Sequence, residues 1–278
     1  MSTDPILVLG ATGKTGRRVA ARLRLRRLPV RLASRSSSTP FDWSDPGGWD
    51  AALDGVSAAY LVAPPVPGPM HDFVARAEDA GVAHVVLLSG RGADSWGDSE
   101  FGRDMRDAEA AVRGSSLGWT VLRPNNFAQN FNEELWYAPI VAGELALPAG
   151  DVPEPLIDVE DVADVAALIL AEPTAHRGTT YELTGPRSVT FAEAADLIAR
   201  ASGRSVTYSP VPPSAYTQLL IEQGLTKDAA HHIAEMFVMM ARGTLSGTTD
   251  DVATVLGRPA RTFEDYVLRV AATGVWSR

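Results

Sequence analysis

The sequence predicts an α/β protein with a doubly wound parallel sheet and a smaller, mostly helical C-terminal lobe. Three observations support this prediction. Short apolar runs alternate with helix-like stretches through the first half of the chain, a glycine-rich turn follows the first apolar run, and the last third carries helix signals. Strands that are apolar throughout and separated by helices indicate a parallel sheet that is covered on both faces.

Five apolar runs are expected to form the first strands, and a sixth strand is expected at Thr180–Leu183 after a helix over Val159–Leu170. The five runs are Ile6–Leu9, Val30–Ala33, Ala58–Val62, His84–Leu88 and Trp119–Leu122. The helices predicted between them are Thr15–Leu28, Trp49–Leu53, His71–Ala80 and Arg103–Val112.

The remainder of the chain predicts a second lobe. Thr190-Phe191-Ala192-Glu193 is a capping-box pattern that starts a helix, and Gly203 is suited to end it. We expect residues 1–135 with about 156–185 to form the first domain, and about 136–155 with 186–278 to form a substrate-binding lobe.

Composition excludes several classes of protein. The 278 residues include no cysteine, which removes disulfides, thiol nucleophiles and cysteine-based metal sites, and no metal is predicted. The net charge of −9 argues against a nucleic-acid partner. There is no signal-peptide pattern and no apolar run of about 18 residues. We expect a cytoplasmic protein, monomeric or homodimeric, that does not bind membranes.

Nine cations and no acid lie between Lys14 and Arg35, although the chain as a whole is acidic. One interpretation is a solvated helix face. The other is a positive field beside a polyanionic cofactor, and the two are compatible.

A glycine-rich turn directly follows the first apolar run and precedes a helical stretch. In G-x-x-G-x-x-G, the first glycine permits a tight turn, the second lets the backbone approach a pyrophosphate, and the third allows close helix–sheet packing. The helix N-terminus adds N–H groups for the anion. The pattern predicts a dinucleotide-binding Rossmann domain, with cofactor contacts from Gly10, Thr12, Gly13, Lys14, Thr15 and Gly16.

The end of the second strand indicates which dinucleotide binds. An NAD site usually carries an acid there, but this chain has Ser34 and Arg35 and no acid before Asp42. A guanidinium and a hydroxyl suit a 2′-phosphate, so NADP(H) is expected over NAD(H), which stays possible. The alternative is that Arg35 is an ordinary surface charge.

Several segments resemble the NmrA-like family of atypical short-chain dehydrogenases, and the resemblance covers nearly the whole chain. The segments are Gly10–Gly16, Val86–Ser89, Trp119–Phe127, Ile157–Ala163 and Tyr181–Gly185. The family includes NADPH-dependent quinone and dye reductases, tailoring proteins of polyketide clusters and non-catalytic redox sensors. The resemblance therefore implies the fold and the cofactor, but not the reaction.

The resemblance also implies further cofactor contacts. Ala63, Pro64 and Pro65 would lie beside the adenine-side ribose and the pyrophosphate. Ser89 and the segment Pro124, Asn125 and Asn126 would lie near the nicotinamide.

Short-chain dehydrogenases exchange a proton through a Tyr-x-x-x-Lys pair, which this chain lacks. Phe101 and Met105 occupy the matching places, and neither lysine, Lys14 or Lys227, follows a tyrosine by four residues. Hydride addition to a ketone gives an alkoxide about as basic as hydroxide. Addition to a quinone gives a phenolate-like anion with a pKa of about 10. The missing pair therefore favours an electron-poor aromatic substrate.

Aromatic and amide residues after two of the strands are predicted to bind a flat substrate, because ligands of such sheets bind at the carboxyl ends of the strands. They are Trp96, Asn126, Phe127, Asn130, Phe131, Trp136 and Tyr137. Simple helix packing is the alternative for Phe127 and Phe131. The candidates for a catalytic proton donor are His71, Ser89, Asn126 and Tyr137.

These observations predict an NADPH-dependent reductase of a quinonoid or polycyclic aromatic compound, in secondary metabolism. Two alternatives stay open. One is a tailoring oxygenase component that acts on an aromatic polyketide, and the other is an NADP(H) sensor without turnover.

Overall fold

Seven parallel strands form the central sheet of the computed structural model, which describes residues 4–64, 66–96 and 99–277. They are β1 (Ile6–Leu9), β2 (Val30–Ser34), β3 (Thr39–Pro40), β4 (Ala58–Val62), β5 (His84–Leu88), β6 (Gly118–Pro124) and β8 (Thr179–Leu183). Their spatial order is β3-β2-β1-β4-β5-β6-β8. The order reverses between β1 and β4, so a crevice opens at the carboxyl ends of these two strands.

Helices connect the strands and build the rest of the chain. They are α1 (Gly16–Leu25), α2 (Trp49–Leu53), α3 (Pro69–Asp79), α4 (Glu100–Arg113), α5 (Tyr137–Ala142), α6 (Val159–Ala171), α7 (Phe191–Ser202), α8 (Pro213–Glu222), α9 (Lys227–Met240), α10 (Asp251–Leu256) and α11 (Phe263–Ala271). A separate two-stranded parallel sheet joins β7 (Glu144–Leu147) to β9 (Thr207–Pro210). Across the described ranges, every helix falls short of the length and apolar character that crossing a membrane requires.

Apolar clusters cover both faces of the sheet. In β1, Ile6 and Val8 join a cluster with α1 and α6, whereas Leu7 and Leu9 join the opposite cluster with α2, α3 and α4. Side chains alternate between the faces of a strand, so a strand whose residues are all buried must be covered twice. The predicted doubly wound Rossmann sheet is confirmed.

A third apolar cluster lies among the C-terminal helices. It includes Trp96 and residues from 128–156 and 189–276, and its largest side chains include Phe131, Trp136 and Phe191. The Thr190 hydroxyl accepts a hydrogen bond from the Glu193 amide and caps α7, and Gly203 ends that helix with a φ of 71°. The division into a dinucleotide-binding domain and a substrate lobe stays a prediction.

Candidate active site

The glycine loop joins β1 to α1 and leaves its amides available. Gly10 has a φ of +62°, and the Gly13 amide donates to its carbonyl oxygen over 2.8 Å. A side chain on Gly16 would overlap that same oxygen, so only glycine lets α1 approach so closely. The amides of Thr12, Lys14 and Thr15 donate to no other described residue. Free N–H groups at a helix N-terminus fit a diphosphate.

A cleft of about 700 Å³ begins at this loop and extends to the end of β2. Six of the predicted cofactor residues line it, namely Gly10, Thr12, Gly13, Ser34, Arg35 and Ala63. Thr15 and Gly16 are buried beside the loop, and Pro64 is buried outside the cleft lining. Pro65 lies outside the described residues.

Charge of both signs lines the end of this cleft next to β2. Arg35 is exposed, and Ser34 is buried with its hydroxyl 2.6 Å from that of Ser37. Asp42 also lines the cleft. Hydrogen bonds from the Ser44 hydroxyl and amide lower the pKa of Asp42, and the charge of Arg35 lowers it further. The acid is therefore a carboxylate at neutral pH.

A smaller cavity of about 260 Å³ shares Val62 and Ala63 with the cleft. Its wall is mainly apolar and aromatic, with amide side chains on one side. The lining includes Ser89, Arg91, Trp96, Phe101, Met105, Pro124, Asn125, Asn126, Phe127, Asn130, Glu154, Met236 and Met240. Phe101 and Met105, which the resemblance puts at the places of the catalytic Tyr and Lys, are part of this wall.

Ser89 is held by a buried ion pair. Its hydroxyl donates to Glu109 over 2.6 Å, and Glu109 also accepts from Nε and Nη2 of Arg123 over 2.8 and 2.6 Å. Strong ion pairing raises the pKa of Arg123, mainly through Glu109 and then Asp94. In this arrangement the Ser89 hydroxyl proton is directed to Glu109, so the oxygen of Ser89 is left as an acceptor toward the cavity.

Lys14 reaches away from the loop to the cavity wall. Its ammonium donates to the Asn130 side-chain oxygen over 2.5 Å, pairs with Glu134 over 3.0 Å and lies 5.5 Å from the Phe127 ring centroid. Burial lowers the pKa of Lys14, although Glu134 opposes the shift. Lys14 therefore ties the glycine loop to two of the predicted substrate-binding residues.

The structure places several of the predicted site residues outside the linings of the two cavities. Phe131 and Trp136 are fully buried in the third cluster, with ring centroids 4.7 Å apart, because the chain turns inward after Asn130. The Tyr137 hydroxyl donates to the Val275 carbonyl oxygen over 3.3 Å, away from the cavity lining. His71 lies on the outside of α3 with its ring 3.2 Å from Asp107. These four residues contact neither cavity.

Glu154 lines the smaller cavity and was missed by the sequence analysis. Its Oε2 atom accepts from the side-chain amides of Asn125 and Asn126 over 2.9 and 3.1 Å. Burial raises the pKa of Glu154, although these two amides oppose the shift. Nothing in the local pattern Val152-Pro153-Glu154-Pro155 signals a site, because the contacts come from residues distant in sequence.

Part of the cation-rich segment, residues 14–35, is neutralised by ion pairs within the chain. Arg18 pairs with Glu133 and Glu160, and Arg22 pairs with Glu160 and Asp164 of α6. Arg18 and Arg22 are therefore paired, whereas Arg24, Arg26 and Arg27 are exposed, as expected of a solvated face. Of the segment's cations, Arg35 lines the dinucleotide cleft.

Residues 10–173 match a family model described as NAD(P)H-binding, which spans the glycine loop, β2 and the cavity-lining ends of β4, β5 and β6. The chain belongs to this family. An NAD(P)H azoreductase of Xenophilus azovorans is 31% identical over 96% of this chain and 98% of its own. A (4-alkanoyl-5-oxo-2,5-dihydrofuran-3-yl)methyl phosphate reductase of Streptomyces griseus is 34% identical over 94% of this chain and 96% of its own.

Several solved structures share the fold of this chain. The triphenylmethane reductase of Citrobacter has a TM-score of 0.82 at 24% identity, covering 97% of this chain and 99% of its own. An NADPH complex of an Escherichia coli quinone oxidoreductase has a TM-score of 0.82 at 23% identity, with coverages of 95% and 99%. A mutant NmrA has a TM-score of 0.74 at 18% identity, with coverages of 98% and 97%. These structures confirm the fold that the resemblance to the NmrA-like family implies.

Proposed function

We propose that this NAD(P)H-dependent oxidoreductase uses NADPH to reduce a compact quinonoid ring in the smaller cavity. The observation that carries the proposal is the wall of that cavity, where Trp96, Phe101 and Met105 form an apolar surface. The cavity meets the dinucleotide cleft at Val62 and Ala63, so a ring bound there lies next to the cofactor site. When bound, the nicotinamide supplies a hydride.

The size of the cavity supports a small acceptor. Its volume of about 260 Å³ is below the range of about 300–1,000 Å³ that is usual for ligand pockets. One ring or two fused rings therefore suit it better than an extended polycycle. The thioethers of Met236 and Met240 give part of the wall a soft, adaptable surface.

The absence of a Tyr-Lys pair supports an acceptor whose reduced form is weakly basic. Phe101 has no hydroxyl and Met105 no ammonium, so this wall offers neither the usual proton donor nor the cation that tunes it. A hydroquinone anion, with a pKa of about 10, requires much less help than an alkoxide. Azo compounds, for which the Xenophilus relative is named, are conjugated acceptors of a similar kind.

The preference for NADPH follows from the end of β2. Arg35 is exposed in the cleft and has no hydrogen bond to a described residue, so it is available for a 2′-phosphate. Asp42 engages one of its carboxylate oxygens with Ser44, which reduces its capacity to bind a ribose hydroxyl.

The test is NADPH oxidation, followed at the nicotinamide absorbance band, with benzoquinone, naphthoquinone, an azo dye and an aliphatic ketone. We expect turnover with the quinones and none with the ketone. Gly16→Val is the matched control, because a side chain there displaces the glycine loop and should abolish both turnover and thermal stabilisation by NADPH. Turnover with ketones alone would contradict the proposal. Stabilisation by NADPH without any turnover would support the sensor alternative instead.

A further inference from the structure

Glu154 is anchored at the wall of the smaller cavity by its backbone. Its amide donates to the Val189 carbonyl oxygen over 2.8 Å, and the Val189 amide donates back over 2.9 Å. The residue is 1% exposed and lines the cavity. A carboxyl group that is buried and fixed in position at a ligand cavity requires an explanation, because burying a charge without a partner destabilises the folded protein.

The two carboxyl oxygens of Glu154 have different surroundings. Oε2 accepts from the amides of Asn125 and Asn126, whereas Oε1 is buried and has no hydrogen-bond partner among the described residues. Neutral amides do not balance a full negative charge. The arrangement therefore suits a carboxylic acid whose proton is on Oε1 and whose Oε2 is the acceptor of both amides.

The charged groups around Glu154 do not compensate for its burial. Arg91 is the other charged side chain that lines the cavity within the described residues, and it lowers the pKa of Glu154. Its guanidinium is engaged by Glu182 over 2.9 Å and by the carbonyl oxygens of Leu245 and Gly247. The parts of α4 and α9 that line the cavity contribute aromatic and thioether side chains. The effect of burial on the pKa of Glu154 is larger than the opposing effects of Arg91 and the two amides, so this pKa is raised.

We propose that Glu154 is the proton donor of this site, a neutral carboxylic acid that hydrogen-bonds to and protonates the oxygen of the bound quinonoid. The proposal rests on the proposed function. The hydride and its two electrons go to the substrate, whose oxygen takes on the negative charge. The O–H bond of Glu154 breaks as the O–H bond of the hydroquinone forms. The carboxylate, held by Asn125 and Asn126, then regains a proton from water.

Glu154→Gln tests this role, because glutamine keeps an oxygen for the two amides but has no acidic proton. We expect kcat for quinone to fall about 10²-fold, at the lower end of the range for general acids, since the anion formed is weakly basic. Wild-type kcat should decline as pH rises through the pKa of Glu154, and this decline should be absent in the variant. Stabilisation by NADPH should be unchanged, which separates proton donation from misfolding.

Glu222→Gln is the control, since Glu222 is exposed at the end of α8 and lines neither cavity. It should match the wild type in rate and pH profile. A folded Glu154→Gln protein that keeps the wild-type kcat and pH profile would overturn the proposal.

A second measurement does not depend on turnover. Infrared difference spectra of the protein without cofactor, between acid and alkaline pH, should contain a protonated-carboxyl band that Glu154→Gln removes and Glu222→Gln retains. If quinones are not reduced but the band is present, the proposed function is wrong, whereas the assignment of Glu154 as a neutral carboxylic acid is supported. If the band is missing from the wild type, Glu154 is ionised and the role as proton donor is wrong.

Discussion

The side chain of Lys14 donates a 2.5 Å hydrogen bond to Asn130, which joins the glycine loop to the wall of the substrate cavity across 116 residues of sequence. Its side chain is only 8% exposed and also pairs with Glu134. From sequence, Lys14 is predicted to contact the cofactor. In the structure, its ammonium is engaged by the segment that carries Phe127 and Asn130.

Lys14→Met should therefore raise the KM for quinone more than it raises the Kd for NADPH. The variant leaves the Asn130 oxygen without its donor, and hydrogen bonds to charged groups contribute about 1.5–3 kcal/mol. We expect a loss of about 1–2 kcal/mol in the free energy of unfolding, because Glu134 is exposed and adds little. Steady-state kinetics, NADPH titration and urea denaturation measure the three quantities.

Lys227→Met changes the other lysine, which is exposed at the start of α9, and is the control for the loss of charge. It should leave all three quantities near their wild-type values. A larger loss of NADPH affinity than of quinone affinity in Lys14→Met would instead support a direct cofactor contact.

Arg35→Ala should remove the preference for NADPH. A charge-assisted contact to the 2′-phosphate at about 1.5–3 kcal/mol corresponds to about a tenfold to hundredfold weaker Kd for NADPH, with little effect on NADH. Thermal shifts with equal concentrations of the two nucleotides measure the difference. Arg24→Ala, an exposed cation of the same segment, is the control. A wild-type protein that is stabilised more by NADH would show that the assignment of Arg35 is wrong.

Glu109→Gln should be strongly destabilising. The carboxylate is 1% exposed and accepts from Ser89 and Arg123, so its neutralisation leaves a buried guanidinium with Asp94 alone. Breaking a buried pair costs about 3–5 kcal/mol. Urea denaturation should show this loss, whereas Asp196→Asn in the exposed pair with Arg200 should cost less than about 1 kcal/mol. Equal effects of the two substitutions would contradict the assignment.

His84 should make folding sensitive to acid. The Thr120 hydroxyl donates to the His176 carbonyl oxygen over 2.8 Å, so it accepts from His84 Nε2 over 3.1 Å. Burial and then Arg177 lower the pKa of His84 to about 4. Unfolded histidine titrates near 6.5, so the unfolded chain binds the extra proton first as pH falls, and stability is lost between about 6.5 and 4.

We expect His84 to account for about 2 kcal/mol of the stability that the wild type loses between pH 7.5 and pH 5. In His84→Gln this part of the pH dependence should be missing. Chemical denaturation at the two pH values measures it, with exposed His231→Gln as a control that keeps the wild-type slope. An unchanged slope in His84→Gln would show that folding does not lower the pKa of His84.

The sheet was predictable from sequence because its strands are apolar throughout and its glycine turn is local. The short strands β3 and β7 were not. β3 is two residues long and includes Pro40, and it pairs through Ala33 with Thr39 and Ser34 with Pro40. β7 and β9 pair across more than sixty residues, from Glu144 to Thr207. No pattern within such short segments distinguishes them from loops.

Site residues that belong to one continuous segment were predictable from the sequence. Site residues that the fold brings together from distant segments were not. Gly10, Thr12 and Gly13 follow from the turn itself. Phe131 and Phe127 are both phenylalanines, but Phe131 is buried in the third cluster. Which of them lines the cavity depends on the direction of the chain after Asn130, and the sequence does not reveal that direction. Glu154 is part of the cavity because its bridge with Val189 brings it beside two asparagines.

Val62 and Ala63 at the end of β4 border the dinucleotide cleft on one side and the substrate cavity on the other. A nucleotide bound in the dinucleotide cleft would therefore form part of the wall of the substrate cavity. If the nucleotide binds first, the acceptor then binds to a complete cavity. Catalysis should therefore be ordered: the acceptor binds second, and its reduced product dissociates before the oxidised nucleotide.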